Sequence, residues 1–168
     1  VLTGSSIDIV VSLGPPIVPD VVNMTEADAI LAITAIDNLT VSAVNYDYSD
    51  TVTAGDVISQ NPIGGTQVSV GSAVGIVVSL GKPVVPNVMG MSASNAEATV
   101  EAVDNLVAAL AYQYDNNVPF GYVMSQNPPG GTVVNTGNTV NIVVSLGQPL
   151  VPGVVGLSET EARTTIEA

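Results

Sequence analysis

Hydrophobic and polar residues alternate in one segment that the chain repeats. The two clearest copies run from Gly71 to Gly81 and from Gly137 to Gly147, and each ends in Ile-Val-Val-Ser-Leu-Gly. Alternation of this kind predicts a β-strand with one buried face. The residues expected to face the core are Val74, Ile76, Val78 and Leu80 in one copy and Val140, Ile142, Val144 and Leu146 in the other.

The opposite face of this strand also carries an apolar residue. It is Val77 in one copy and Val143 in the next, and Val10 takes the same position near the start of the chain. Because burial of apolar surface is favourable, we expect a neighbouring unit or another chain to cover this face.

A helical period follows each proline-rich stretch. Thr25 and Ser158 each stand three residues before an acidic residue, as in a capping box, and Ser92 or Ser94 takes this role in the middle copy. Apolar residues then recur on one helix face at Ala29, Ile30, Ile33 and Ile36. The pattern predicts a short amphipathic helix in each copy.

Two further strands are predicted between the helix and the alternating segment. The first is NLTVSAVNYDY, from Asn38, which combines β-branched residues with alternation. The second is DVISQ, from Asp56, which precedes the turn-forming sequence NPIGGT. Each unit should therefore contain one helix and three strands.

The spacing of the repeated phrase VSLG-x-P-x-VP gives the domain organisation. The phrase begins at Val11, Val78 and Val144, at intervals of 67 and 66 residues. Such a phrase marks the joint between copies of one structural unit. We predict the last strand of a preceding repeat at 1–14, complete repeats at 15–81 and 82–147, and the linker and helix of a following repeat at 148–168. The chain is interpreted as a piece of a longer array.

Several of these motifs resemble one known family. VPDVVNMTEADA, ISQNPIGGTQVSVGSAV and the closing IVVSLG are similar to the PASTA domain, a module found in tandem on penicillin-binding proteins and on the extracellular half of bacterial Ser/Thr kinases. The resemblance implies an α+β fold in which one helix packs on a three-stranded sheet. It also implies an extracellular or cell-surface location and an association with peptidoglycan.

The joints predict an extended arrangement of the repeats. Pro15, Pro16 and Pro19 follow Gly14 within five residues. Proline fixes φ and pushes the preceding residue toward extended conformations, so a short proline-rich linker acts as a semi-rigid spacer. We therefore expect tandem repeats arranged as an extended rod.

Charge and composition exclude several classes of partner. The chain carries 15 acidic residues against Lys82 and Arg163, a net charge of −13, and has neither Cys nor His. Nucleic acid is excluded as a partner because phosphate binding needs clustered cations. Disulfides and most zinc sites are excluded as well. No apolar run approaches the roughly 18 residues of a membrane span, so no span is predicted in this segment.

No catalytic, cofactor or metal site is predicted. Ser79 and Lys82 match the S-x-x-K pattern of penicillin-binding active sites, but the other copies lack the lysine and no partner motif occurs. Asp47, Asp50 and Asp56 suggest calcium. Their counterparts are Gln113, Asn116 and Tyr122, so a solvated acidic loop is favoured over a calcium site.

Aromatic residues are the candidates for a binding surface. Tyr46 and Tyr48 recur as Tyr112 and Tyr114, and residues two apart on a strand share a face. One interpretation is a platform for a glycan ring or a neighbouring chain, and the favoured one is a ring pair that covers the edge of the sheet. The loop of the second repeat adds two more aromatic residues, Phe120 and Tyr122.

Two functions remain open. The main prediction is a non-catalytic extracellular rod or fibre that contacts the cell wall and assembles into filaments through neighbouring repeats or identical chains. The alternative is a sensor ectodomain of a Ser/Thr kinase or penicillin-binding protein that binds muropeptides. The shortage of cations counts against the alternative, because muropeptides carry carboxylates that Lys or Arg would bind.

Overall fold

The chain divides into two compact units, which are described separately. The computed structural model describes residues 4, 6, 8, 9, 11, 12 and 14–167. The first unit comprises Val1–Lys82 and the second Pro83–Ala168. Across the described residues, no helix combines the length and the apolar character that crossing a bilayer requires.

The first unit consists of one helix and a three-stranded sheet, as predicted. Its elements are α1 (Glu26–Thr34), β1 (Thr40–Asp47), β2 (Val57–Asn61) and β3 (Ala73–Ser79). The sheet order is β1-β3-β2, with β1 parallel and β2 antiparallel to β3. The alternating segment therefore forms the central strand of the sheet.

The second unit repeats this arrangement and adds a further helix. Its elements are α2 (Ala93–Glu101), β4 (Val107–Gln113), β5 (Val123–Asn127), β6 (Thr139–Ser145) and α3 (Glu159–Glu167). The sheet order is β4-β6-β5, again with one parallel and one antiparallel pair. The α+β class and the tandem repetition predicted from the sequence are confirmed.

The predicted helix caps are present. The Thr25 hydroxyl accepts a hydrogen bond from the Asp28 N–H at 3.2 Å, and the Ser92 hydroxyl accepts one from the Asn95 N–H at 3.4 Å. Ser92, rather than Ser94, is thus the N-cap of α2. At α3 the Glu161 carboxylate accepts from the Ser158 N–H at 3.0 Å, which completes a capping box.

The core of each unit lies between the helix and the central strand. Val74, Ile76 and Val78 are buried on β3, together with Ala29 and Ile33 on α1. The prediction that Leu80 continues this buried face is wrong, because β3 ends at Ser79 and Leu80 is 45% exposed. The equivalent buried residues of the second unit include Val140, Ile142, Val144, Ala96 and Val100.

The two intervals of 67 and 66 residues have a structural cause. In β1 and β3, Val41 pairs with Val74 but Val44 pairs with Ile76, so β1 contains one extra residue at a β-bulge. The equivalent strands β4 and β6 pair without any shift of register. The first repeat therefore absorbs its additional residue in an edge strand, and the core on either side of the bulge is unchanged.

The proline-containing segment belongs to the repeat that follows it. Val18 exchanges hydrogen bonds with the N–H of Gly65 and the carbonyl of Thr66, and the Val68 N–H donates to the Pro16 carbonyl at 3.0 Å. Val18 and Val21 are also part of the buried core. Most of the segment predicted to be a spacer is thus packed against the sheet instead of spanning solvent.

One glutamine side chain fastens this segment to the sheet. The buried Gln60 accepts a hydrogen bond from the Val21 N–H at 2.7 Å and donates to the carbonyls of Pro19 and Pro62 at 2.9 and 3.1 Å. Gln126 makes the same three bonds in the second unit, with Val88, Pro86 and Pro128. The role of the repeated Ser-Gln-Asn-Pro sequence is therefore structural.

Close backbone contact also requires one glycine in each repeat. A Cβ atom on Gly64 would lie 2.6 Å from Asp20 Cβ, and one on Gly130 would lie 2.6 Å from Asn87 Cβ. Distances this short are not tolerated between carbon atoms, so a larger residue would displace the proline-containing segment.

The strand predicted at 1–14 is only partly covered by the structure. Residues 1–3, 5, 7, 10 and 13 lie outside the described residues, and Val10 is among them. Ile9 and Val11 are exposed. The assignment of 1–14 to a preceding repeat, and with it the set of domain boundaries, stays a prediction.

We predict that Gln60→Leu lowers the free energy of unfolding of the first unit by about 1–3 kcal/mol, because it leaves one buried N–H and two carbonyls without their partner. Gln67→Leu is the matched control: Gln67 is exposed, and its replacement should change the free energy by less than about 0.5 kcal/mol. Amide hydrogen exchange measures both variants, with the second unit as internal reference. Equal effects of the two substitutions would contradict the prediction.

Candidate binding groove

The serine of the S-x-x-K pattern is a structural residue. The buried Ser79 hydroxyl donates to the Val52 carbonyl at 2.8 Å and accepts from the Gly81 N–H at 2.9 Å. Ser145 makes the same pair of bonds, to Val118 and from Gly147. A hydroxyl used in this way ties the loop after the first strand of each repeat to the end of the central strand.

That loop is built on the same turn in both repeats, with a different capping residue. In the first repeat the Ser49 hydroxyl accepts from the N–H groups of Thr51 and Val52 at 3.3 and 3.0 Å. In the second repeat Asp115 Oδ1 accepts from Asn117 and Val118 at 2.7 and 2.6 Å. The shorter bonds of Asp115 are those expected of a charged acceptor.

These hydrogen bonds perturb the Asp115 carboxyl group. The N–H of Val118, and then that of Asn117, stabilise the carboxylate and hold the pKa of Asp115 below its usual value of 3.8. Asp115 is therefore ionised at neutral pH and accepts both hydrogen bonds of the turn.

A groove lies between this loop and the end of the central strand in the second unit. It has a volume of about 610 Å³, which is within the range of roughly 300–1,000 Å³ usual for ligand clefts. Val118, Pro119, Phe120, Leu146 and Leu150 supply apolar lining. The polar lining includes Asp115, Asn116, Asn117 and Gln148.

Two hydrogen bonds join the two walls of the groove. The Asp115 N–H donates to the Gly147 carbonyl at 3.0 Å, and Gln148 Nε2 donates to the Asn116 carbonyl at 3.2 Å. Phe120 approaches Gly147 so closely that a Cβ on this glycine would lie 3.4 Å from Phe120 Cβ. The Phe120 side chain is nevertheless 74% exposed. We define these residues, 115–120 and 146–150, as the Phe120 groove.

The first repeat has a smaller counterpart of different chemistry. Its groove measures about 250 Å³ and is lined by Ser49–Ala54, Gly81 and Lys82. Ala54 stands where the second repeat has Phe120, and Lys82 stands where it has Gln148. The fold is the same in both repeats, but only the second presents an aromatic ring at this position.

The paired tyrosines occupy less enclosed positions. Tyr46 lies on the helix-facing side of the edge strand β1, where its hydroxyl donates to both oxygens of Glu26 at 3.2 Å. This bond to a carboxylate raises the pKa of Tyr46. Tyr112 lacks such a carboxylate, since Ala93 stands in the position of Glu26. Tyr112 is 59% exposed.

The remaining aromatic candidates are not gathered into one site. Tyr48 and Tyr114 follow the ends of β1 and β4, where Tyr48 is half-buried and Tyr114 is 59% exposed. Tyr122 lines a separate groove beside α2, together with Met91 and Thr99. Of the six predicted residues, only Phe120 lines the Phe120 groove.

The sequence made Phe120 a candidate binding residue, which stays a prediction, but did not show its surroundings. Asn117, Gln148 and Leu150 were not predicted, because they lie far apart in sequence or carry no motif. Pro119-Phe120 in place of the first repeat's Thr53-Ala54 was the available signal. Within the described ranges, no group of three or more acidic, His or Cys residues is placed to hold a metal ion.

The chain belongs to the PASTA domain family. The family matches twice, at residues 16–80 and at residues 83–146. These two matches cover most of the chain and coincide with the two helix-and-sheet units. The resemblance noted from the sequence motifs is thereby confirmed.

Similar proteins are bacterial Ser/Thr kinases. The chain is 33% identical over 98% of its length to the probable serine/threonine-protein kinase PknB of Corynebacterium glutamicum, of which it covers 26%. It is 33% identical over 89% of its length to a probable serine/threonine-protein kinase of Corynebacterium efficiens, of which it covers 23%. The chain thus spans about a quarter of these relatives.

Solved structures of the family are similar as well. The entire extracellular region of the Ser/Thr kinase PrkC from Staphylococcus aureus matches 89% of the chain, with 25% identity, a TM-score of 0.43 and 55% of that structure covered. A three-PASTA-domain structure of a Ser/Thr kinase from the same organism matches 90% of the chain, with 24% identity, a TM-score of 0.43 and 78% covered.

These comparisons favour the alternative function over the main prediction. The chain is a PASTA repeat region similar to the extracellular part of kinases and is not a catalytic domain. PASTA domains form extracellular parts of membrane kinases, and the chain is consistent with such a segment. The rod and its assembly into filaments stay predictions.

We predict that the Asp115 carboxyl titrates below 3.8 and that the amide signals of Asn117 and Val118 follow it. Because the folded-state pKa is lowered, the carboxylate stabilises the turn fully above its usual pKa, and this stabilisation is lost as the pH falls through the folded value. An NMR titration measures the pH at which the amide signals of Asn117 and Val118 shift. Asp115→Ser, which copies Ser49, should abolish the transition; its persistence in that variant would contradict the assignment.

Proposed function

We propose that the chain is part of the extracellular sensor region of a bacterial Ser/Thr kinase and that it binds peptidoglycan fragments at the cell surface. The observation that carries this proposal is the similarity to such a kinase over 98% of the chain. The two PASTA domains support it further, since the family binds ligands of the peptidoglycan type. The kinase domain and the membrane span would lie elsewhere in the protein.

The charges of the chain constrain how such a ligand is bound. Lys82 and Arg163 are its two cations, and Arg163 pairs with Glu159 at 3.2 Å on α3. Carboxylates of a muropeptide would meet a protein of net charge −13. Binding is therefore expected to depend on apolar contacts and neutral hydrogen-bonding groups more than on ion pairs.

A spacer role is the second candidate, and the joint between the repeats favours it. In the first unit the Gly81 carbonyl accepts from the Ser49 N–H at 2.8 Å, and in the second unit the Pro83 carbonyl accepts from the Val134 N–H at 3.0 Å. Lys82 alone separates these two anchored residues. A residue before a proline has restricted backbone angles, and this property of the joint sequence supports a spacer role.

The two candidates are compatible within one ectodomain. A spacer repeat would separate a ligand-binding repeat from the cell membrane. Assembly of identical chains into filaments is a further hypothesis, which would appear as growth of the particle with concentration in small-angle scattering.

We predict that the chain co-sediments with purified peptidoglycan sacculi and that binding is maintained when the salt concentration is raised from 0.05 to about 0.5 M. Salt screens the repulsion between two acidic partners, so binding through neutral groups does not weaken. Cellulose particles are the control for non-specific adsorption. A chain that stays in the supernatant, or that binds cellulose equally, would contradict the proposed function.

We predict that an insertion of three Gly and Ser residues after Lys82 makes the two units tumble more independently. The insertion lengthens the connection and adds flexible residues to it. NMR ¹⁵N relaxation measures the rotational correlation time of each unit, which should fall in this variant. Lys82→Ala, which preserves the length of the joint, is the control and should leave both correlation times unchanged. Equal correlation times in all three proteins would argue against the spacer role.

A further inference from the structure

The Phe120 groove combines an exposed aromatic ring with a fixed frame. The Phe120 side chain is 74% exposed, whereas the loop that carries it is held by the Asp115 carboxylate, by Ser145 and by Gln148. An exposed ring on an ordered loop loses little conformational entropy when it binds. Anchors of this type dominate the binding energy of many recognition sites.

The polar groups of the groove suit a neutral ligand. Asn116, Asn117 and Gln148 bring amide groups, which both donate and accept hydrogen bonds. Asp115 is the one ionisable residue in the lining, and its Oδ1 already accepts two backbone N–H bonds. Without a lining cation, a carboxylate or phosphate ligand would be repelled by Asp115 and would have no charged partner.

A sugar ring matches this combination. A pyranose has a face of C–H groups that packs on the negative face of an aromatic ring, and its rim of hydroxyl groups pairs with amides. An N-acetyl group adds a neutral amide and a methyl group. The apolar side chains of Val118, Leu146 and Leu150 offer contacts for that methyl group within the same groove.

The first repeat is the internal comparison. Its counterpart groove has Ala54 in place of the ring and Lys82 in place of the Gln148 amide. The two repeats share their core and their glutamine bonds, and this end loop is one of the surface positions at which they differ.

We propose that the Phe120 groove binds an uncharged N-acetylhexosamine ring of a glycan and that the equivalent groove of the first repeat does not. The inference rests on the proposed function in that the sugar would be part of the peptidoglycan glycan chain. It assigns recognition to the glycan and to one repeat, and it excludes the anionic stem peptide as the ligand of this groove.

The test is an NMR titration of the ¹⁵N-labelled chain with tetra-N-acetylchitotetraose. We expect the signals of residues 115–120 and 146–150 to shift and those of residues 49–54 to stay unchanged. Phe120→Ala should raise the Kd about tenfold or more, and Phe120→Tyr should preserve binding. Leu31→Ala is the matched control, because Leu31 is an exposed apolar residue (67%) on α1 of the first unit, and its Kd should equal that of the unaltered chain.

Parallel titrations with a soluble muropeptide and with its isolated stem peptide separate this inference from the proposed function. A chain that binds the muropeptide but not chitotetraose, or whose Phe120→Ala variant binds chitotetraose as before, overturns the inference and leaves the proposed function standing. Binding of chitotetraose in the Phe120 groove without binding of the muropeptide supports the inference and contradicts the proposed function. Shifts of the groove signals by the stem peptide alone overturn the inference.

Discussion

The fold of each repeat depends on one side-chain amide. Gln60 and Gln126 satisfy an N–H and two carbonyls that secondary structure leaves unpaired, and so hold the proline-containing segment on the sheet. With the segment in place, Val18 and Val21 close one side of the first core. A domain of this size buries a smaller fraction of its surface than a larger domain does and is therefore only marginally stable. Loss of this amide would expose part of the core and leave three polar groups unpaired.

The elements of the fold were predictable because their signals are local. Alternation located the central strands, and turn residues separated the strands. The Thr25 hydroxyl located the start of α1, whereas the choice between Ser92 and Ser94 at α2 needed the structure. Leu80 was misplaced because alternation does not show where a strand ends, and Ser79 ends this one by bonding to Val52. The bulge in β1 was visible only as an unequal interval, whose location needed the strand pairing.

Long-range features could not be obtained from the sequence in the same way. The parallel pairing of β1 with β3, the role of Gln60 and the docking of the proline-containing segment all join residues about 30 to 50 positions apart. The Phe120 groove has the same character, because β5 and β6 separate the loop at 115–120 from Gln148 and Leu150 in the sequence. Comparison of the repeats made Phe120 a candidate, because a difference between two otherwise similar copies is itself a signal.

The division between constant and variable positions bears on function. Positions that support the core are nearly the same in both repeats, whereas the end loop changes from Ala54 to Phe120 and from Lys82 to Gln148. Membership of the PASTA family therefore accounts for the scaffold, and the binding chemistry has to be determined repeat by repeat. An array built in this way can contain repeats that bind and repeats that only separate them, which reconciles a sensor with a spacer in one chain.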